Sequence, residues 1–247
     1  EFGVPIAGEI LDPTLWTQTA LKKLPEGLLD LPALFGRKAP LVVDLGCGNG
    51  RYMIHSAVWR PDHDHLGVDI LPVVIRYATR RGNQRGLKNL RFAVIDAQTL
   101  VARHLAPASV REVHCYHPQP YYDPAQVQRR LITPGFLAQV HAILEPGGLI
   151  VLQTDNPGYW RYLRQVVPVF FDFEERSDPW PDAPKGRTRR EIIALRRGLP
   201  VFRGQGRPRP GLSLDEARQL AEQLPPPIFD ADRRLLALDA EEGNLGN

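Results

Sequence analysis

Little in this chain of 247 residues suggests an exported or membrane-bound protein. Its two cysteines, Cys47 and Cys115, allow one bridge at most, and both fall in or beside strand-like core segments. Buried free thiols in a reducing, cytoplasmic setting are therefore expected. No apolar run approaches the ~18 residues that span a bilayer, and the first residues carry no signal-peptide pattern. No internal repeat is visible. His114 and His117 are the one pairing that suggests a metal, but three residues apart on a strand they point to opposite faces, so no metal is expected. With 43% hydrophobic and 24% charged residues, the composition is that of a water-soluble globular chain.

Charge is the uneven quantity. The net is only +3 with a pI near 9.0, yet Lys185, Arg187, Arg189, Arg190, Arg196, Arg197, Arg203, Arg207 and Arg209 crowd one stretch, with Glu191 alone opposing them. Such a cluster attracts a phosphate backbone.

The most informative segment runs from Leu41 to Gly50. A buried strand, Leu41–Leu45, carries Asp44 and enters a bend with Gly46, Gly48 and Gly50. A helix-like stretch (51–59) follows, then a strand ending in Asp69. A doubly wound sheet makes a nucleoside site this way: the glycines let the backbone approach the ligand, and the acid on the next strand holds ribose hydroxyls. The G-x-G-x-G spacing behind an acid favours S-adenosylmethionine over NAD. Free amides of the bend would meet the ligand's carboxylate, and Asp44 would order the bend or meet the ligand's ammonium. Asp69, with Ile70 beside it, would take the ribose, and Asp96, with Ala97, the adenine amino group.

Strand-like runs at 41–45, 66–70, 90–95, 110–116 and 149–153 alternate with helix-like segments at 51–59, 73–81, 99–104 and 125–144, the last interrupted at Pro134. The alternation implies a mostly parallel sheet covered on both faces. Beyond Gly147-Gly148 come a helix (158–167), a sixth strand (169–173), a proline-rich loop (177–187), a short last strand (199–202) whose Pro200 suits an edge or a strand start, and a linker (207–210). Ser213-Leu214-Asp215-Glu216 forms a capping box for a last helix, and the acidic, glycine-containing end is expected to fray. Helical stretches are also expected at 14–23 and 26–35. The implied organisation is a helical lead-in (1–39), a catalytic domain (40–206) and a C-terminal extension with one helix (207–247).

After the fourth strand comes His117-Pro118-Gln119-Pro120-Tyr121-Tyr122, where the methyl acceptor should lie. Its prolines stiffen the loop and its rings offer a stacking face for a base. Together with Leu34-Phe35-Gly36, Leu66-Gly67-Val68-Asp69, Asn89-Leu90-Arg91, Arg129-Arg130-Leu131, Thr154-Asp155 and Thr188-Arg189-Arg190-Glu191, the chain resembles the bacterial tRNA (guanine-N7-)-methyltransferase family from about Leu34 to Gly204. The resemblance implies a Rossmann-like class I S-adenosylmethionine-dependent methyltransferase, with a mostly parallel seven-stranded sheet. It also implies tRNA as partner, while the oligomeric state, monomer or homodimer, stays open. By the same resemblance Gln119, Asp155, Thr188 and Glu191 would form the acceptor site, and Tyr121, Arg187, Arg189 and Arg190 would bind the substrate. The family's loop reads P-D-P-W-P-K-K-R-H-x-K-R-R, whereas this chain has Gln119 for the acid, Tyr121 for the tryptophan, and no basic cluster. That departure keeps two alternatives in view: a different acceptor, whether another RNA or a small molecule, and an RNA-binding homologue without turnover.

Overall fold

The computed structural model describes residues 3–237. Among them, seven strands form one sheet in the order β3-β2-β1-β4-β5-β7-β6. The strands are β1 (Leu41–Leu45), β2 (Asp64–Asp69), β3 (Leu90–Val94), β4 (Val110–Tyr116), β5 (Leu144–Thr154), β6 (Phe171–Arg176) and β7 (Phe202–Pro208). β1 to β5 are parallel, and β7 runs antiparallel between β5 and β6. The order reverses between β1 and β4, so a crevice opens at the carboxyl ends there.

The helices are α1 (Leu31–Phe35), α2 (Arg51–Trp59), α3 (Pro72–Gln84), α4 (Ala97–Thr99), α5 (Pro134–Ile143), α6 (Pro157–Phe170), α7 (Arg189–Arg196) and α8 (Leu214–Glu222). β1 is buried along its whole length, as expected of a central parallel strand with helices on both faces. The Ser213 capping box forms as its sequence implies, with Glu216 closing the loop back to Ser213. Cys47 and Cys115 are both free thiols, Cys115 buried and Cys47 half-buried.

Four expectations are corrected. Residues 14–23 are not helical: after a single 3-10 turn (Pro13–Leu15) the chain extends along β3. There Leu21 N–H donates to Phe92 O at 2.8 Å and Phe92 N–H to Thr19 O at 2.7 Å. This run satisfies backbone groups that the outermost strand would otherwise leave open. The second correction concerns the last strand, which lies at 202–208 inside the sheet and not at 199–202, so residues 207 and 208 belong to it and not to a linker. Its glycines mask it in the sequence. A Cβ on Gly204 would stand 2.3 Å from Phe173 Cζ, so the ring takes the place of a side chain. Third, the helix expected at 125–144 breaks at Pro134 as anticipated, but the part before the break is a 3-10 turn (Pro124–Arg129), and α5 starts at the break under the Thr133 cap. Fourth, β5 begins at Leu144 and contains the Glu145–Gly148 turn, with a register shift opposite Arg111. The acid- and glycine-containing end, residues 238–247, lies outside the described residues.

The three glycines of the first bend do different work. All have positive φ, at +83°, +52° and +74° for Gly46, Gly48 and Gly50. A Cβ on Gly46 or Gly48 would meet nothing within 4 Å, whereas one on Gly50 would strike Ala78 Cβ and Phe92 Cζ at 2.7 Å. Gly50 thus lets α2 pack on α3 and β3, while Gly46 and Gly48 border open space. Gly50→Ala combines left-handed strain with overpacking and should lower stability by about 2–4 kcal/mol, against ~1–2 kcal/mol for Gly48→Ala. Urea unfolding midpoints measure the difference, and equal losses would contradict this division of roles.

Candidate active site

The carboxyl ends of β1, β2 and β3 bring Asp44, Gly46, Gly48, Asp69, Ile70, Asp96 and Ala97 to one rim of the sheet. Asp69 is half-buried and accepts from Gly48 N–H at 3.0 Å and from Leu71 N–H at 2.9 Å. It therefore ties the glycine bend to the end of β2. Asp96 caps the next helical turn by accepting from Thr99 N–H at 3.0 Å, and Ile70 is 59% exposed beside it. The bend does not offer the set of free amides that the glycines suggested. Gly46 and Cys47 N–H both donate to Val68 O, Gly48 N–H to Asp69 and Gly50 N–H to Cys47 O.

Asp44 is the outlier of this rim. It is only 2% exposed, and its Oδ1 has no hydrogen-bond partner. Burial pushes its carboxyl up to about 8, the neighbouring Asp69 adds to the rise, and Arg187 opposes it. A buried acid this poorly satisfied favours a cationic ligand, because the cation supplies what burial removed. The orphaned oxygen lies in the strand whose bend has open space beside Gly46 and Gly48. An unpartnered carboxyl oxygen and open space thus stand at the same strand end, and these residues fit S-adenosylmethionine.

The second half of the site lies at the ends of β4 and β5 and on α7. A chain of hydrogen bonds and close charged contacts crosses it. Trp180 Nε1 can only donate, and it does so to Gln153 Oε1 at 2.7 Å. The Gln153 amide must then present Nε2, which stands 2.9 Å from His117 Nε2. His117 accepts there, and its Nδ1, which makes no hydrogen bond, stands 3.4 Å from Asp155 Oδ1. Asp155 Oδ2 accepts from Arg190 Nε at 2.6 Å. Burial alone would raise the Asp155 carboxyl, but His117 and Arg190 hold it well below the usual carboxylate range. Gln153, His117 and Trp180 were not anticipated as site residues. In the sequence His117 opens the acceptor-side loop and is half of a rejected metal pair, and nothing in the 177–187 loop marks Trp180.

Thr188 is the N-cap of α7, accepting from Glu191 N–H at 3.1 Å. Glu191 is fully buried: Arg203 donates to Oε1 at 2.7 and 3.0 Å, and Arg187 N–H to Oε2 at 2.8 Å. The family-like Thr-x-x-Glu therefore acts here as a helix start pinned to β7, and Glu191 has no accessible face for a base. Arg187 is likewise held inside. It pairs with Asp182 at 2.6 Å, donates to Tyr116 Oη at 2.8 Å, and stacks 4.2 Å from the Trp180 ring. With Arg190 and Arg203 also paired internally, the basic stretch is not one solvent-facing patch. Arg189 is half-buried in the first turn of α7. Gln119 is exposed, and Tyr121 is half-buried with φ +44°.

A sheet in this order, with a glycine bend after β1 and an acid ending β2, defines a class I methyltransferase. The solved structures most like it in fold include the 16S rRNA methyltransferase KamB, with a TM-score of 0.55 at 15% identity over 78% of this chain and 100% of that one. A 30S ribosomal methyltransferase from an uncultured bacterium gives 0.53 at 15% over 73% and 93%. Residues 38–203 match the family model described as "Putative methyltransferase". The tRNA (guanine-N(7)-)-methyltransferase of Halorhodospira halophila is 34% identical over 191 residues, 76% of this chain and 83% of that protein. Its counterpart from Alkalilimnicola ehrlichii is 32% identical over 192 residues, 76% and 81%. The chain belongs to the tRNA (guanine-N7-)-methyltransferase family. Among the described residues, no helix is long and apolar enough to cross a membrane.

The Asp44 carboxyl sets a pH dependence of folding. Unfolded, it ionises near 3.9; folded, it keeps its proton up to about pH 8. Between those values the folded state binds the extra proton, so its stabilising effect is full at low pH and fades as pH rises. Asp44→Asn should therefore melt close to the unmodified chain near pH 5 and above it at pH 8. Thermal melts across that range decide it; a gap that stays constant with pH would count against the assignment.

Proposed function

We propose that this chain transfers the methyl group of S-adenosylmethionine to N7 of a guanine in tRNA. The observation that carries this reading is the orphaned Asp44 oxygen beside a glycine bend with open space, in a chain of this family. The cofactor supplies an electrophilic methyl on a sulfonium. Guanine N7 brings its own lone pair, so the reaction asks for alignment and not for a general base.

On this reading Asp44 meets the cofactor's ammonium. Gly46 and Gly48 leave room for its amino-acid part, and Gly50 holds α2 in place behind them. Asp69 serves twice, holding the bend through its present hydrogen bonds and taking the ribose hydroxyls with its remaining lone pairs. Ile70 and Ala97 flank the adenine, and Asp96 accepts from its amino group. On the acceptor side, Tyr121 stacks on the base, and Gln119 can both accept from and donate to its edge. Asp155, Thr188 and Glu191 support that wall from behind, clamped by Arg190 and Arg203.

Phosphate contacts fall to cations that face solvent. Arg76 and Arg80 are exposed on α3 and share with exposed Lys22 a groove whose lining contains no acid. Lys185 and Arg196, also exposed, add to them from the stretch singled out in the sequence. A tRNA acceptor implies action in the cytoplasm. A second reading, the same cofactor with a different acceptor, is favoured by one observation: Asp155 and Glu191 are both already paired with arginines.

Incubation of tRNA with the protein and S-adenosylmethionine, followed by borohydride reduction and aniline, should cleave the strand at the methylated guanine. Absence of cleavage above the control without protein contradicts the proposal and turns attention to the second reading. Replacing Arg76 and Arg80 together by alanine should weaken tRNA binding and reduce the slope of log affinity against log salt by about two. An unchanged slope places the phosphate contacts elsewhere.

A further inference from the structure

Arg130 is the largest side chain that is almost wholly enclosed, at 1% exposed, and it has no carboxylate partner in the hydrogen bonds it makes. Its guanidinium instead spans two distant pieces of chain. Nε donates to Pro120 O at 2.5 Å and Nη2 to Tyr121 O at 3.0 Å, both in the loop after β4. Nη1 donates to Pro227 O at 2.6 Å and Phe229 O at 3.2 Å, both in the segment after α8. The Phe229 ring closes the site, with its centroid 3.6 Å from the guanidinium carbon. Only arginine has five donors in a rigid planar fork together with a flat cation that stacks on a ring.

Both ends of this strut have their own reasons to be fixed. The loop carries two non-glycine residues in the left-handed region, His117 at φ +50° and Tyr121 at φ +44°. Such conformations persist only where the surroundings over-determine them. The far segment is stiffened by Pro225, Pro226 and Pro227 and seated on α6. There Tyr162 Oη donates to Pro225 O at 3.2 Å, and Phe229 packs on the Tyr159 and Tyr162 rings at 4.8 and 6.0 Å. A Cβ on Gly158 would stand 2.2 Å from Asp230 O, so the segment lies directly against the start of that helix. The family model ends at residue 203, so this segment lies outside the part of the chain that matches it. The segment therefore braces the loop in which this chain departs from the family pattern.

We infer that Arg130 and Phe229 are positioning residues: the C-terminal segment, acting through the Arg130 strut, sets the Gln119–Tyr121 loop in the shape that receives the methyl acceptor. Neither residue touches the acceptor, and cofactor binding at the other half of the rim does not depend on them. The inference rests on the tRNA reading for its kinetic arm and stands without it for its structural arm.

The test compares Phe229→Leu, which keeps an apolar side chain but loses the ring face, with Phe229→Tyr, which keeps the face, and with Arg130→Lys. Phe229→Leu should raise KM for tRNA about tenfold while kcat stays within about twofold. S-adenosylmethionine affinity by calorimetry should be unchanged, and amide exchange at 121–122 should accelerate. Phe229→Tyr should restore both readouts, and Arg130→Lys should match or exceed Phe229→Leu. Unchanged KM and unchanged exchange in Phe229→Leu would overturn the inference. So would a parallel loss of cofactor affinity, which marks a general loosening of the fold. If the unmodified chain methylates no tRNA, the functional reading fails, and the exchange measurement alone decides the strut.

Discussion

A buried carboxyl at the end of the central strand governs the arrangement of this molecule. Asp44 sits where the strand order reverses, a position that a parallel sheet encloses with helices on both sides. Its backbone serves the ladder to β2 and β4, but its side chain is left with one unpartnered oxygen and Asp69 nearby. An isolated buried charge costs far more than a fold of ordinary stability can absorb, so the group keeps its proton instead. A cation entering the crevice reverses that balance. In the glycine bend beside it, Asp69 and Val68 hold the amides, and Gly46 and Gly48 have open space beside them.

The other half of the crevice is organised by arginines turned inward. Arg190 on Asp155, Arg203 on Glu191, and Arg187 between Asp182, Tyr116 and Trp180 are each partly or wholly withdrawn from water. Breaking one member of the buried Arg190–Asp155 or Arg203–Glu191 pair leaves its partner uncompensated, at a cost of about 3–5 kcal/mol. These pairs lock α7, β7 and the 177–187 loop against the ends of β4 and β5. The loop after β4 is then pinned twice, through His117 to Gln153 and through Arg130 to the C-terminal segment. Rigidity of this kind suits a reaction whose main demand is alignment.

The parallel half of the molecule was legible in the sequence for a physical reason. β1 and β4 are strand-like runs with clear punctuation, and their limits agree with the structure to the residue. The acids and glycines after β1, β2 and β3 could be placed together because parallel strands put all their carboxyl ends on one rim. β7 was misplaced because Gly204 and Gly206 erase the hydrophobic signal of a strand whose face is covered by Phe173 from its neighbour. Residues 14–23 looked helical, but their role is to pair with β3, a demand set by the sheet and invisible in local propensity. The arginines of 185–209 looked like a patch because charge can be counted in a sequence, while the burial that turned Arg190 and Arg203 into internal struts cannot. Thr188 and Glu191 were noticed as a signature; that one caps a helix and the other anchors β7 emerges only from their partners.

The account is tested most directly by proton release on cofactor binding. Titrating S-adenosylmethionine into the protein at pH 7 in buffers of different ionisation enthalpy counts the protons set free. A cation placed on Asp44 should drive off nearly one proton per molecule bound, and Asp44→Asn should release none. Binding without proton release in the unmodified chain would contradict the claim that this buried carboxyl receives the ligand's positive charge.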